Sequence, residues 1–314
     1  MTDMKKVLIV GSANMDLSAN VYKVPSEGET VTDDGGVAYT PGGKGANAAI
    51  ALTKLGADCV FATKLGADVH GQKLYGYYKE LGLNTSCIKV DHDHPTGFAI
   101  VLKESNGQNR IIHYPGANSY ISSENIIDAF SCSPDALYIG FEISFATALI
   151  AAKVAAGKGI PIFVDAAPAD KSYDLESLPP LEVFSPNETE TYEYTGIMPA
   201  GADSALRAAL ALRRRVNAKY IVIKQGNRGA FVYDGKHYSM VPAYRADKVV
   251  DTTAAGDAFT AALTIEYLKT GDIMKAVKFG AAAGAVTVSR AGAALSVPSE
   301  DEVREFLEKR NVFL

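Results

Sequence analysis

An excess of basic charge is missing from this chain. Its 31 lysines and arginines are outnumbered by 36 aspartates and glutamates, for a formal net charge of −5. Nucleic-acid binders normally carry a basic face, so that class is disfavoured. An acidic total still permits an anionic ligand, because backbone N–H groups and a bound cation can hold phosphate locally. Cysteine is scarce and scattered: Cys59, Cys87 and Cys132 are odd in number and far apart in sequence. They offer neither a disulfide framework nor a C-x-x-C metal pair, so reduced thiols in a cytoplasmic protein are expected. Long apolar runs are also absent. The run Val7–Val10 ends at Gly11, too short for the core of a secretion signal, and no stretch approaches the length of a bilayer span. The five histidines show no metal-ligand spacing. His92 and His94 fall in an acidic, Pro-containing loop and are expected to be solvated. No internal repeat, low-complexity tract or interdomain linker stands out.

What is present is an ordinary globular balance, 47% hydrophobic and 21% charged, over 314 residues. That length suits one large domain or two smaller ones, and the missing linker favours a single α/β domain over 1–314. Val7–Val10 is all-apolar and β-branched, the pattern of a central strand covered on both faces. Similar runs recur at Ala136–Ile139, Ile160–Val164, Leu181–Phe184 and Tyr220–Ile223, with helical patterns at Phe145–Ala156 and Ala202–Arg215 between them. Strands alternating with helices predict a mainly parallel sheet wrapped by helices. Ser299 and Glu302 form a capping box that opens a last helix, and Arg213–Arg215 reads as a solvated helix end. Two stretches break the rhythm. Residues from about 14 to 39 are polar with Pro25 and Gly35-Gly36; residues 96 to 114 read as a hairpin turning at Asn106-Gly107. Together they predict a small β element set over the main body.

The strongest chemical signal is Asp251-Thr252-Thr253-Ala254-Ala255-Gly256-Asp257, which runs into an apolar helix. Small residues at a helix start leave N–H groups accessible, and the helix dipole favours an anion there. A carboxylate in that first turn would stand beside any phosphate held by it, the pairing that phosphoryl transfer needs. The plainer alternative is an acidic residue decorating a helix N-terminus. Pro41-Gly42-Gly43-Lys44-Gly45-Ala46-Asn47 fails the Walker pattern, since Lys44 is followed by glycine. It is either a ligand-approaching loop with Lys44 and Asn47 as polar contacts, or a glycine turn that starts a helix. After the first strand the dinucleotide fingerprint G-x-G-x-x-G is absent, which disfavours a dehydrogenase. Asn14 and Asp16 stand there instead, placed to bind hydroxyls or to make an Asx turn. Asn187 with Glu190 fits either a helix cap or a water-mediated Mg²⁺ contact. Lys224 to Gly229 is a hairpin or a nucleotide-facing loop.

In this order, the motifs resemble those of the ribokinase family of carbohydrate kinases over essentially the whole chain. The resemblance rests on Asn14 and Asp16, the Gly42–Asn47 motif, His113-Tyr114-Pro115-Gly116-Ala117-Asn118, Asn187-x-x-Glu190 and Asp251–Asp257. It implies a ribokinase-like three-layer sandwich with a mainly parallel central sheet and a small β-sheet lid. It further implies ATP-dependent phosphorylation of D-ribose at its 5-hydroxyl. Asp257 would be the base, and Ala254, Ala255 and Gly256 the anion hole. Asn14, Asp16, Gly42, Gly43, Lys44, Asn47 and Glu142 would hold the sugar. Asn187, Glu190, Lys224, Gly226, Gly229 and Gly256 would face ATP and Mg²⁺. An activating K⁺ would take the Asp251 and Ser296 side chains with carbonyls of Thr253, Thr287, Arg290 and Gly292. The lid would also join two copies as a homodimer. Three positions depart from the family's usual pattern: Asp165 in Asp165-Ala166-Ala167-Pro168-Ala169, where Asn is usual, Lys224, often Thr, and Ala281, commonly His or Asn. Deoxyribose, another sugar or a nucleoside as acceptor, and a non-catalytic sugar sensor, remain the alternatives.

Overall fold

Val7, Leu8, Ile9 and Val10 are all 0% exposed, so the first strand is covered on both faces as its unbroken apolar run predicts. The computed structural model describes residues 4–33, 35–104 and 109–314. Its strands are β1 (Lys6–Val10), β2 (Asn14–Val21), β3 (Val37–Gly42), β4 (Asp58–Gly66), β5 (Ile88–Asp91), β6 (Gly97–Glu104) and β7 (Asn109–Tyr114). They continue with β8 (Ala136–Gly140), β9 (Ile162–Asp165), β10 (Leu181–Ser185), β11 (Ala218–Lys224), β12 (Ala230–Tyr233) and β13 (Tyr238–Val241). The helices are α1 (Lys44–Lys54), α2 (Val69–Glu80), α3 (Ser123–Ala129), α4 (Phe145–Gly157), α5 (Glu188–Thr195), α6 (Ala202–Arg215), α7 (Ala255–Thr270), α8 (Ile273–Thr287) and α9 (Glu300–Glu308).

A nine-stranded sheet runs in the order β13-β12-β11-β10-β9-β8-β1-β4-β5. It is parallel from β11 through to β5, and only β12 and β13 pair antiparallel. Successive residues of β1 feed opposite cores: Val7 and Ile9 pack with α1, α7 and α8, while Leu8 and Val10 pack with α3, α4 and α6. Helices on both faces of one sheet make three layers. A second, four-stranded sheet has the order β3-β2-β6-β7. Here β2 and β6 run parallel, and the hairpin expected from alternation is the antiparallel pair β6–β7. Its turn at Asn106-Gly107 lies outside the described residues.

Three local expectations change. The strand expected from Ile160 begins at Ile162, because Pro161 has no N–H for the ladder. Arg215 is not a solvated helix end. Its guanidinium donates at 3.0 Å to the carbonyls of both Tyr194 and Tyr173, tying α6 to the loop before β10. His94 is not free in solvent either: Nδ1 lies 3.1 Å from Asp91 Oδ1, and the ring stacks on Tyr120. Among the described residues no helix is long and apolar enough to cross a membrane, and no cluster of acidic, His or Cys side chains forms a metal cage.

One contact sets where α1 begins. A Cβ on Gly45 would lie 2.5 Å from the Ser12 nitrogen and 2.6 Å from Gly11, so helix and β1–β2 connection meet backbone to backbone. Gly45→Ala is expected to cost about 1–3 kcal/mol in urea unfolding, the usual cost of forcing a methyl group into a packed contact.

Candidate active site

The chain offers two helix starts built of small residues, and their amides are in different states. At α1 the first turn is already satisfied from outside the helix. Lys44 N donates to Glu142 Oε2 at 2.8 Å, Gly45 N to Ser12 Oγ at 3.3 Å, and Ala46 N to the Ser12 carbonyl at 2.9 Å. At α7 the N-cap is Ala254, which has no side-chain acceptor and sits in the left-handed region at φ 61°. Ala255 N makes one long bond, 3.3 Å to the Thr252 carbonyl. Nothing among the described residues accepts from Gly256 N or Asp257 N. The helix start with amides left open to an anion is therefore that of α7.

Asp257 occupies the first turn of α7 and is 6% exposed. Burial pushes its carboxyl above the usual range, and the Lys44 charge works against that. Asn47, one turn into α1, donates Nδ2 to Asp257 Oδ2 at 2.9 Å. Lys44 is pushed up in turn, chiefly by Asp257, with Asp165, Glu142 and Glu190 adding to the effect. The contact between α1 and α7 thus gives the buried carboxylate its cation and a donor.

On the small-sheet side, Glu142 gathers Ser12 Oγ at 2.6 Å, Lys44 N and Asn14 Nδ2 at 3.3 Å. Asn14 is 2% exposed and accepts from Asn118 Nδ2 at 2.8 Å, while its own Nδ2 lies 3.2 Å from His113 Nε2. That bonding replaces any Asx turn. The glycine pair has a steric reason. A Cβ on Gly42 would lie 2.1 Å from Asp16 Oδ2, and Gly43 has φ 93° with the Asn14 nitrogen 2.9 Å from its would-be Cβ. Asp16 Oδ1 is buried without a protein partner. Burial raises this carboxyl to about 7, Glu142 adds to the shift, and Lys103 on β6 opposes it.

Beyond Asp257 opens a cavity of about 810 Å³, lined by Lys44, Asp165, Asn187, Glu190, Lys224, Gly226, Gly229, Gly256 and Asp257. Its apolar lining includes Tyr244, Val249, Phe259, Ala281, Ala285 and Val288. Asn187 and Glu190 form a full helix cap: Asn187 N donates to Glu190 Oε2 at 2.7 Å and Glu190 N to Asn187 Oδ1 at 2.9 Å. They line the cavity as well, so the helix cap leaves the Mg²⁺ reading open. Lys224–Gly229 is likewise a hairpin and a cavity wall; a Cβ on Gly229 would sit 1.9 Å from the Val241 carbonyl.

Of the remaining predicted set, Asp251 and Thr253 precede α7 directly, Thr287 ends α8, and Arg290, Gly292 and Ser296 follow α8. Val250 N and Asp251 N both donate to the Val288 carbonyl, which joins the two loops. Burial pushes the Asp251 carboxyl up, but hydrogen bonds from Thr253, at 2.9 Å from N and 2.6 Å from Oγ1, hold it below the usual range. Thr287 and Ser296 are buried, Arg290 pairs with Glu302, and Gly292 has φ 96°. A carboxylate, a hydroxyl and several carbonyls are hard oxygen donors of the kind an alkali cation takes. Sequence reasoning assigned no role to Ser12 and Thr260, and none to Asn118 beyond its place in the His113–Asn118 motif.

A family model described as the pfkB family carbohydrate kinase matches residues 4–300. The chain belongs to the pfkB family of carbohydrate kinases. A ribokinase from Haemophilus influenzae is 33% identical over 310 residues, covering 97% of this chain and 99% of that one. The bifunctional ribokinase/ribose-5-phosphate isomerase A of Fructilactobacillus sanfranciscensis is 34% identical over 304 residues. The match takes in 96% of this chain but only 56% of that longer protein. Among solved structures, Arabidopsis thaliana ribokinase complexed with ribose and ATP superposes with a TM-score of 0.86 at 28% identity, over 97% of this chain and 99% of its own. The resemblance and three-layer fold read from the sequence are borne out, and the chain is a ribokinase-type phosphotransferase.

The Asp16 carboxyl of this kinase binds its proton more tightly folded, at about 7, than its ordinary 3.8 when unfolded. Its burial therefore costs nothing below about pH 4, an increasing amount between pH 4 and 7, and the full amount above. Asp16→Asn is expected to raise the melting temperature of the ligand-free protein at pH 8 and to leave it unchanged at pH 4, as read by thermal scans across pH.

Proposed function

We propose that this kinase transfers the γ-phosphoryl group of ATP to the 5-hydroxyl of D-ribose, giving ribose 5-phosphate and ADP. The observation carrying this reading is Asp257, a buried carboxylate in the first turn of α7, a helix whose leading amides are left open, at the wall of the large cavity. The sugar lies on the small-sheet side, where Asn14, Asp16, Asn47, Glu142 and Lys44 pair its hydroxyls and Gly42 and Gly43 let it approach the backbone. Asp257 takes the proton of the 5-hydroxyl as that oxygen bonds the γ-phosphorus. The bond from γ-phosphorus to the β,γ-bridging oxygen breaks, and its electron pair leaves with ADP. Amides of Ala254, Ala255 and Gly256, with Lys44 and Lys224, meet the charge on the transferring group.

Mg²⁺ on the phosphates supplies charge neutralisation, and Asn187 and Glu190 are the residues that would hold it through its water shell. A K⁺ at Asp251, Thr253, Thr287, Arg290, Gly292 and Ser296 would order the backbone leading into the anion hole. We read 1–314 as one domain in which the small sheet, from about 14–39 and 96–114, closes as a lid and excludes water from the transfer. A cytoplasmic location belongs to the same reading, supported by three unpaired cysteines.

The lid also supports a homodimer. By strand register, Tyr39, Leu17, Ile100 and Ile112 form one cross-strand row on the face away from Asp16, with Val37 and Tyr114 on the same face. Val37, Tyr39, Ile112 and Tyr114 are 68%, 57%, 52% and 54% exposed, a larger apolar surface than a lone sheet leaves to water.

Two outcomes are expected. With Mg²⁺-ATP and K⁺, ribose-dependent ADP formation is expected from the purified chain and a loss of about 10²–10⁴-fold in kcat for Asp257→Asn, the range for removing a general base. Faster turnover of deoxyribose, fructose or a nucleoside corrects the substrate and keeps the mechanism; no turnover with any acceptor sinks the reading. In sedimentation, the chain is expected to run as a dimer and Ile112→Asp as a monomer, and a monomeric parent chain refutes the lid interface.

A further inference from the structure

The strand ends under the phosphate half of the site carry an ion pair that neither the acid–base step nor the sugar contacts use. β9 ends at Asp165 and β11 at Lys224, on either side of β10. Lys224 Nζ lies 2.8 Å from Asp165 Oδ2 and 3.1 Å from Thr260 Oγ1, and Thr260 Oγ1 also donates to Asp165 Oδ2 at 2.8 Å. The two side chains are only 10% and 6% exposed. The ammonium stands against the anion hole, 3.8 Å from where a Cβ on Gly256 would be. Asp165 Oδ1 is buried with no protein partner, and Asp165 also lines a water-sized cavity of about 10 Å³ shared with Ser12, Lys44 and Glu142. Asp165 thus pairs with Lys224 and lines the sugar-side cavity as well.

We infer that Asp165 is a positioning residue for phosphoryl transfer, fixing the Lys224 ammonium at the anion hole, and that the two function only as a pair. The inference rests on the kinase reading above. Two ammonium groups, Lys44 and Lys224, are set among four carboxylates, Asp165, Glu190, Asp257 and Glu142. A polyphosphate brings more negative charge. Without Lys224, the Asp165 carboxylate is left buried, unpaired and facing the phosphates, so two costs arise from one substitution. Removing Asp165 as well relieves the second cost. Without Asp165 alone, the ammonium keeps its charge but is held only by Thr260, so position suffers more than attraction.

The test is a double-mutant cycle in the full chain, reading kcat and KM for ATP with the preferred sugar, and melting temperature as the fold control. Lys224→Met is expected to lower kcat/KM for ATP by about 100-fold or more, and Asp165→Asn to lower kcat by about tenfold with KM for ATP little changed. The double variant is expected to regain at least about tenfold over Lys224→Met. A double variant no faster than Lys224→Met, or Lys224→Met with undiminished kcat/KM, overturns the inference. Should Lys224→Met fail to fold, Asp165→Asn decides alone: at an unchanged melting temperature, an unchanged kcat overturns it. A parent chain with no turnover on any sugar overturns the kinase reading and this inference with it, whereas an active parent without coupling overturns the inference only.

Discussion

A carboxylate as buried as Asp257 is expensive to keep charged, because the loss of hydration costs several kcal/mol per ion unless partners replace it. Much of the surrounding structure is arranged around that constraint. Lys44 supplies the opposite charge and Asn47 a donor, and both come from the first turns of α1. α1 is in turn fixed by Ser12 and Glu142, which use up its leading amides. The packing of α1 on α7 is therefore what makes a charged Asp257 tolerable in so buried a place.

The same arrangement divides labour between the two helix starts. Both are rich in glycine and alanine, and either one, taken alone, has the composition of a phosphate-binding turn. Once Ser12 and Glu142 occupy the amides of α1, that end has none left for a phosphate. The left-handed Ala254 leaves the α7 end without a cap, a local strain of the kind that concentrates at functional sites. The parallel sheet then delivers the remaining charges, since Asp165, Lys224 and the turn into Asn187 all lie at carboxyl ends of adjacent strands, where open α/β sheets place ligands.

How much was legible from the chain varied with the kind of signal. Strands β1, β8 and β10 and helices α4 and α6 fell within a residue of their expected limits, because a run that must be buried on both faces has few other places to go. The Asn187-x-x-Glu190 motif was ambiguous for a sound reason. A capping box satisfies the backbone at one helix end and still leaves the same side chains at the cavity wall, so the two readings never competed. Arg215 and His94 were misjudged as solvated, because the carbonyls of Tyr173 and Tyr194 and the ring of Tyr120 come from other elements; only Asp91, three residues before His94, is local.

By itself the sequence determined the alternation of strands and helices and the family motifs, the Asp251–Asp257 stretch among them, since these follow from local periodicity and short spacings. Only the tertiary structure decided which of the two small-residue helix starts keeps its amides open, why Asp16 demands a glycine at 42, and that the unusual Asp165 and Lys224 are one pair. Those decisions depend on distances between residues that are far apart in the chain. A hydrogen bond or ion pair is settled within about 3 Å, and no pattern along one strand or helix fixes a distance across three of them.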